Sequence, residues 1–205
     1  EKHYTDVAVW TLPWMAKIGI TPNQVTIVNL LNGFLIFGLI TFHQYVPAAI
    51  LIQLYLFLDI LDGNLARYRE MSTKLGAVLD HVGDRLFYNG VIIALGLATP
   101  VPWIWILSFL VAHNLHSFAA TCYIVPAIRN MHTFRRFGLK KALMDRGYIL
   151  GMDLSTQDLI MTALIATPWR IWIIPIVTVL YLADLIYRLI ELERNRRINP
   201  AALNN

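Results

Sequence analysis

Four aspartates, Asp59, Asp62, Asp80 and Asp84, are where this chain concentrates reactive groups. The first two stand in Asp59-Ile60-Leu61-Asp62-Gly63-Asn64-Leu65-Ala66-Arg67, and eight residues later follows Gly76-x-x-x-Asp80-x-x-x-Asp84. Both segments are apolar, and an ionisable side chain in a membrane-spanning segment costs ~2.5–3.5 kcal/mol unaided. Asp59, Asp62, Gly63 and Ala66 fall on one face of a helix, and Gly76, Asp80 and Asp84 on one face of the next. A short connection makes those helices antiparallel neighbours, so the two acidic faces can meet. Four clustered carboxylates carry a charge of about −4 that forces some of them to stay protonated. Two divalent cations remove the conflict. Oxygen donors favour Mg²⁺ or Mn²⁺ over zinc, and Mg²⁺ commonly shares its sphere with substrate phosphates. The pattern therefore predicts a two-metal site that handles phosphate. Gly63, Ala66 and Gly76 leave room beside the acids for a flat base and its pyrophosphate, and Arg67 offers planar donors to phosphate.

The elements that must carry these residues are membrane helices. Apolar residues make up 57% of the 205-residue chain and charged residues only 15%, against about a quarter charged in soluble domains; mean hydropathy is +0.55. Six stretches reach the ~20 residues that a bilayer core requires: 22–43, 46–68, 73–98, 102–125, 156–172 and 173–192. The predicted fold is all-α, a six-helix membrane bundle preceded by an amphipathic interfacial segment over 1–20, which Pro13 breaks. Residues 1–198 form one domain, 127–155 a basic loop and 199–205 a flexible tail. The segment 3–18 sets Tyr4, Val7, Trp10, Trp14 and Met15 among polar residues, as expected of a helix lying in the interface. Thr21, Pro22 and Gln24 form a capping box at the start of the first span, with Ile20 and Val25 as its hydrophobic staple. Lys and Arg cluster on one side, in Lys2 and Lys17, Arg67 to Lys74, Arg129 to Arg146 and Arg194 to Arg197. That bias puts both termini and the acidic site on the cytoplasmic side. The formal charge of +4 is thus topological and spread over several segments, which argues against nucleic-acid binding. With Cys122 alone there is no intramolecular disulfide. Residue 1 is Glu, so a natural start upstream of it is expected.

The segment Asp59 to Asp84 resembles the signature of the CDP-alcohol phosphotransferase family, D-x-x-D-G-x-x-A-R, eight residues, G-x-x-x-D-x-x-x-D, at every fixed position. The chain is similar to single-domain prokaryotic members, and the six-span plan with an interfacial helix resembles theirs. The resemblance implies an enzyme that cleaves a CDP-linked substrate and releases CMP. It implies that Asp59, Asp62, Asp80 and Asp84 hold two divalent cations, Mg²⁺ or Mn²⁺, and that Asp84 is also the general base. It further implies that Gly63, Ala66, Arg67 and Gly76 contact the CDP group, joined by Thr26 from Pro22-Asn23-x-x-Thr26 and by Asn29. A homodimer in the cell membrane is the family expectation. The leading reading is transfer of a phosphatidyl-type group from a CDP-lipid such as CDP-diacylglycerol to a small polar alcohol. The reverse assignment, a choline- or ethanolamine-type head group moved onto diacylglycerol, is the alternative within the family. The rival class is a divalent-cation transporter, but it gives the fixed Gly63, Ala66, Arg67 and Gly76 no purpose and expects an inverted repeat.

Outside the motif, His113 and His116 stand in a polar cluster of the fourth span and, with Arg85, are candidates for contact with the acceptor. Interhelical hydrogen bonding is the competing role for the histidines. Asp158, three residues after Ser155, reads as part of a capping box. Asp184 and Arg188, four apart, read as an ion pair. Arg67, Arg69 and Arg85 are the cations near enough in sequence to neutralise the four acids as a purely structural network.

Overall fold

The computed structural model describes residues 2–131, 133–145 and 151–198. Arg146 and the predicted tail 199–205 lie outside the described residues, as do the side chains of Tyr4 and Val7. Among the described residues all regular structure is helical: α1 Lys2–Lys17, α2 Pro22–Thr41, α3 Tyr45–Tyr68, α4 Lys74–Ala98, α5 Trp103–Ala119, α6 Val125–Arg129, α7 Gly138–Met144, α8 Leu154–Ile165 and α9 Ile173–Ile198. A π-helical turn, Ala120–Ile124, joins α5 to α6, and a 3₁₀ turn, Pro168–Trp172, leads into α9. The chain divides into two compact units, residues 1–102 with 157–173, and residues 103–156 with 174–205.

In the first unit α2 packs along both α3 and α4, and α1 packs against α3. The start of α2 is the predicted capping box: Gln24 N donates to Thr21 Oγ1 at 3.4 Å and Thr21 N to Gln24 Oε1 at 2.9 Å, with Pro22 in the first turn. Ile20 packs against the buried cluster that includes Val25. Two amides on α2 hold α3 through its carbonyls: Asn29 Nδ2 donates to Tyr55 O and Asn32 Nδ2 to Leu51 O, each at 3.1 Å. The Tyr55 and Phe87 rings stack at 3.6 Å between α3 and α4. Gly90 lets Phe37 lie against α4, since a Cβ there would fall 2.5 Å from Phe37 Cζ.

Two local expectations change. Pro13 does not break α1, which runs through it. Leu12 and Met15 are buried against Val25, Leu61 and Leu65, and that packing outweighs one lost backbone donor. Trp10 and Trp14 remain exposed. The cap of α8 comes from Asp153, whose Oδ1 accepts from Thr156 N at 2.8 Å, not from a box between Ser155 and Asp158. Asp158 is instead fully buried and accepts from Tyr88 Oη at 2.8 Å.

In the second unit the chain stays helical from Trp103 to Arg129, and α9 carries the groups that organise the unit. Asp184 pairs with Arg188 as predicted, at 2.5 Å, and also with His116 at 2.8 Å and Lys140 at 3.3 Å. About two and three turns on from Asp184, Glu191 pairs with Arg136 at 2.7 Å, and Asn195 Oδ1 accepts from Arg135 N at 2.8 Å while its Nδ2 donates to Arg135 O at 2.9 Å. Tyr187 Oη donates to Phe137 O. The predicted loop 127–155 is therefore partly helical, in α6 and α7, and α9 holds its irregular part by backbone hydrogen bonds.

Among the described residues, four helical runs are long and apolar enough to cross a bilayer: Pro22–Thr41, Tyr45–Tyr68, Trp103–Arg129 and Pro168–Ile198. The protein is an integral membrane protein. Two of the six expected spans differ. At 25 residues α4 is long enough, but Lys74, Asp80, Asp84 and Arg85 lower its hydropathy. The stretch 156–172 is interrupted after Ile165, leaving α8 with 12 residues, ~18 Å of helix against a core of ~30 Å.

Candidate active site

The acidic faces of α3 and α4 meet as their spacing predicts. Asp59, Asp62 and Asp80 each place a carboxylate oxygen within 4.8 Å of the others. Asp62 is buried, Asp59 half-buried and Asp80 exposed. Asp84, one turn beyond Asp80, falls outside this triad but lines a small pocket together with all three. Thr26 on α2 donates to Asp62 Oδ2 at 2.7 Å and so orients that carboxylate. Among the described residues no Lys or Arg forms an ion pair with the four acids: Arg67 donates to Asn64 Oδ1 at 3.2 Å and Arg69 to Ile20 O at 2.6 Å. The buried Nε of Arg85 has no hydrogen-bond partner among the described residues. The structural network of arginines is therefore not what holds the acids. An all-oxygen triad without a competing cation fits a hard divalent ion.

Beside the triad lies a cleft of about 170 Å³ in the same unit. Its walls include Thr26, Gly63, Ala66, Arg67, Gly76 and Asp80, so five of the six expected nucleotide contacts and two of the acids (Asp62 is the other) face one space. Asn29 does not line this cleft. It is buried and faces the small pocket of the acids. A Cβ on Gly63 would meet only Arg67 Nη2, at 3.9 Å, so packing within the protein does not demand glycine there. Gly76 is tighter: a Cβ would lie 3.1 Å from Thr73 Oγ1, the cap that accepts from Gly76 N at 3.0 Å.

Met71, Ser72, Thr73 and Ala77 also line the cleft and were not singled out from sequence. They arrive there because α3 ends in a tight reversal. Glu70 takes a left-handed conformation, φ 53°, while Met71 N donates to Ala66 O at 2.9 Å and Glu70 N to Arg67 O at 3.2 Å, the bond pattern of a Schellman-type helix end. Only Thr73, a cap residue ahead of an apolar helix, left a sequence signal. His113 and His116 belong to the second unit. His113 is stacked on Phe109 at 5.3 Å and His116 bonds Asp184.

The profile of the CDP-alcohol phosphatidyltransferase family matches residues 19–181. The chain belongs to this family. Among curated relatives of this family member, an archaetidylinositol phosphate synthase of Pyrococcus horikoshii is 39% identical over 93 residues, 43% of this chain and 47% of that protein. The match thus spans about half of that relative. The fold is also that of a solved family structure, the phosphatidylinositol phosphate synthase of Mycobacterium tuberculosis. Its complex with manganese and citrate superposes with a TM-score of 0.60 at 20% identity, over 98% of this chain and 92% of that one. Its complex with CDP-DAG gives 0.57 at 21% identity, over 100% and 98%.

Proposed function

We propose that this protein transfers a phosphatidyl-type group from a CDP-linked lipid to a small polar alcohol and releases CMP. The observation that carries the reading is the contact between two sites: a cleft walled by Gly63, Ala66, Arg67 and Gly76 opens directly onto Asp62 and Asp80. A nucleotide diphosphate lying in that cleft has its phosphates against the acids. Asp59, Asp62, Asp80 and Asp84 hold two divalent cations, Mg²⁺ or Mn²⁺, which when bound polarise the diphosphate and offset the charge on departing CMP.

The chain's own residues supply the rest. Gly63 and Gly76 let the diphosphate approach the backbone, and Arg67 gives it planar donors. Thr26 keeps Asp62 in place through its 2.7 Å hydrogen bond. Asp84 accepts the proton of the acceptor hydroxyl. The freed oxygen forms a bond to the phosphorus that stays with the lipid, the bond from that phosphorus to the CMP oxygen breaks, and CMP leaves with the electron pair. The names of the similar proteins favour this direction over head-group transfer to diacylglycerol, because they are synthases of inositol phosphate lipids. Inositol phosphate is accordingly the first acceptor to test, with Arg85, His113 and His116 as candidate contacts. In the membrane, α4 and the stretch 156–172, of which α8 crosses only part of the core, complete the six expected spans, with α1 along the inner interface. The basic residues put the site on the cytoplasmic side, and the chain pairs as a homodimer.

The test supplies CDP-diacylglycerol labelled in its acyl chains to purified protein with Mn²⁺ and one acceptor at a time: inositol phosphate, glycerol phosphate, inositol or serine. The label should move to a new phospholipid with one of them. Label that moves only when CDP-choline and diacylglycerol are the substrates would reverse the direction. Saturable Mn²⁺ transport into vesicles with no new lipid in either assay would replace the enzyme reading by the transporter.

A further inference from the structure

The small pocket shared by the acids holds a group whose role differs from the nucleotide contact expected of it. The pocket measures about 10 Å³ and shares Thr26, Asp62 and Asp80 with the cleft; Asn29, Asp59 and Asp84 face it as well. That volume admits one water-sized occupant. Asn29 is only 4% exposed, and its amide can point one way only. Nδ2 donates to the Tyr55 carbonyl at 3.1 Å, and a carbonyl accepts but never donates, so the flipped amide would set oxygen against oxygen. Oδ1 is then buried with no hydrogen-bond partner among the described residues, a costly state unless an occupant satisfies it. The carboxylates of Asp59 and Asp84 offer only acceptors once both are ionised, the state that a bound cation favours, and the Thr26 hydroxyl is directed at Asp62. An occupant that satisfies an amide oxygen and two carboxylates at once is a cation, or a water bound to one.

We infer that Asn29 Oδ1 is a neutral oxygen in the coordination sphere of a divalent cation held on the Asp59 and Asp84 side. The inference rests on the reading of the acids as a cation site. Asn32 supplies an internal comparison. One turn along α2 it makes the same kind of bond, Nδ2 to Leu51 O at 3.1 Å, but it does not line the pocket. If Asn29 served only to hold α2 to α3, replacing either asparagine would have one and the same effect.

The experiment titrates Mn²⁺ into the full-length protein in lipid nanodiscs, reading free Mn²⁺ by electron paramagnetic resonance, for wild type, Asn29→Leu and Asn32→Leu, with thermal unfolding of each. The expected result is Mn²⁺ affinity lowered ~10–100-fold by Asn29→Leu, the range for losing a group that supports a metal site, and changed less than about twofold by Asn32→Leu. Both variants should lose thermal stability. Asn29→Ala carries the same expectation and takes the place of the leucine variant where that does not fold. Wild-type affinity in the Asn29 variants, or an equal loss in Asn32→Leu, overturns the role of Asn29 while leaving the cation site standing. Absence of saturable Mn²⁺ binding in wild type overturns the cation site itself, and this inference with it.

Discussion

Gly63 should separate stability from function. It sits in the interior of α3, where glycine is less favourable than alanine by ~0.8–1 kcal/mol. A methyl group placed there would meet only Arg67 Nη2 at 3.9 Å, an ordinary contact. Gly63→Ala should therefore stabilise the folded protein by about 0.5–1 kcal/mol, which raises Tm by ~1–4 °C for a chain of this size. The same methyl projects into the 170 Å³ cleft, and Gly63→Leu projects a branched side chain further. Binding of CMP or CDP-diacylglycerol should weaken modestly in the alanine variant and at least ~10-fold in the leucine variant, ~1.4 kcal/mol. Gly76→Ala gives the contrast. Its methyl would press on Thr73 Oγ1 at 3.1 Å and disturb a cap of the kind worth ~1 kcal/mol, so it should gain no stability. Calorimetric titration of CMP and thermal unfolding on the same preparations measure both quantities. A Gly63→Ala protein that unfolds earlier than wild type, or a Gly63→Leu protein with unchanged CMP affinity, would refute the placement of Gly63 on the cleft wall.

Other positions carry simpler expectations. Gly90→Ala should lose ~1–3 kcal/mol by overpacking, because its Cβ would fall 2.5 Å from Phe37 Cζ; thermal unfolding at wild-type stability would contradict the packing of α2 on α4. Glu70→Gly should gain about 0.5–1 kcal/mol, since φ 53° puts a Cβ-bearing residue in the region that glycine tolerates, and a fall in Tm would argue against the left-handed turn. Asn195→Leu removes the partners of Arg135 N and Arg135 O, and limited proteolysis should then cut the segment 133–137 much faster than in wild type.

The acidic faces were legible because helical periodicity is short-ranged: spacings of three, four and eight residues fix which side chains share a face, whatever surrounds the helix. The capping box at Thr21 and the pair of Asp184 with Arg188 were legible for the same reason. What escaped depends on distant contacts. Nothing near Asn29 tells that its amide is spent on a carbonyl of α3 or that the residue lines the small acidic pocket instead of the cleft. Ser155 and Asp158 match a capping box in spacing, yet Asp153 reaches Thr156 N first and Asp158 is drawn inward to Tyr88. Pro13 carries a local signal for a break that the burial of Leu12 and Met15 overrides. Met71 and Ser72 reach the cleft only through the turn at Glu70.

The central claim, that the four aspartates perform a metal-dependent transfer, is tested most directly by CMP release from CDP-diacylglycerol in wild type and Asp84→Asn, with Mn²⁺ and after its removal by a chelator. Wild type should release CMP with Mn²⁺ and stop on chelation. Asp84→Asn should fold and bind CDP-diacylglycerol but release CMP slower by at least ~10²-fold, the lower range for loss of a general base. Release that survives either chelation or the Asp84 substitution would contradict the account.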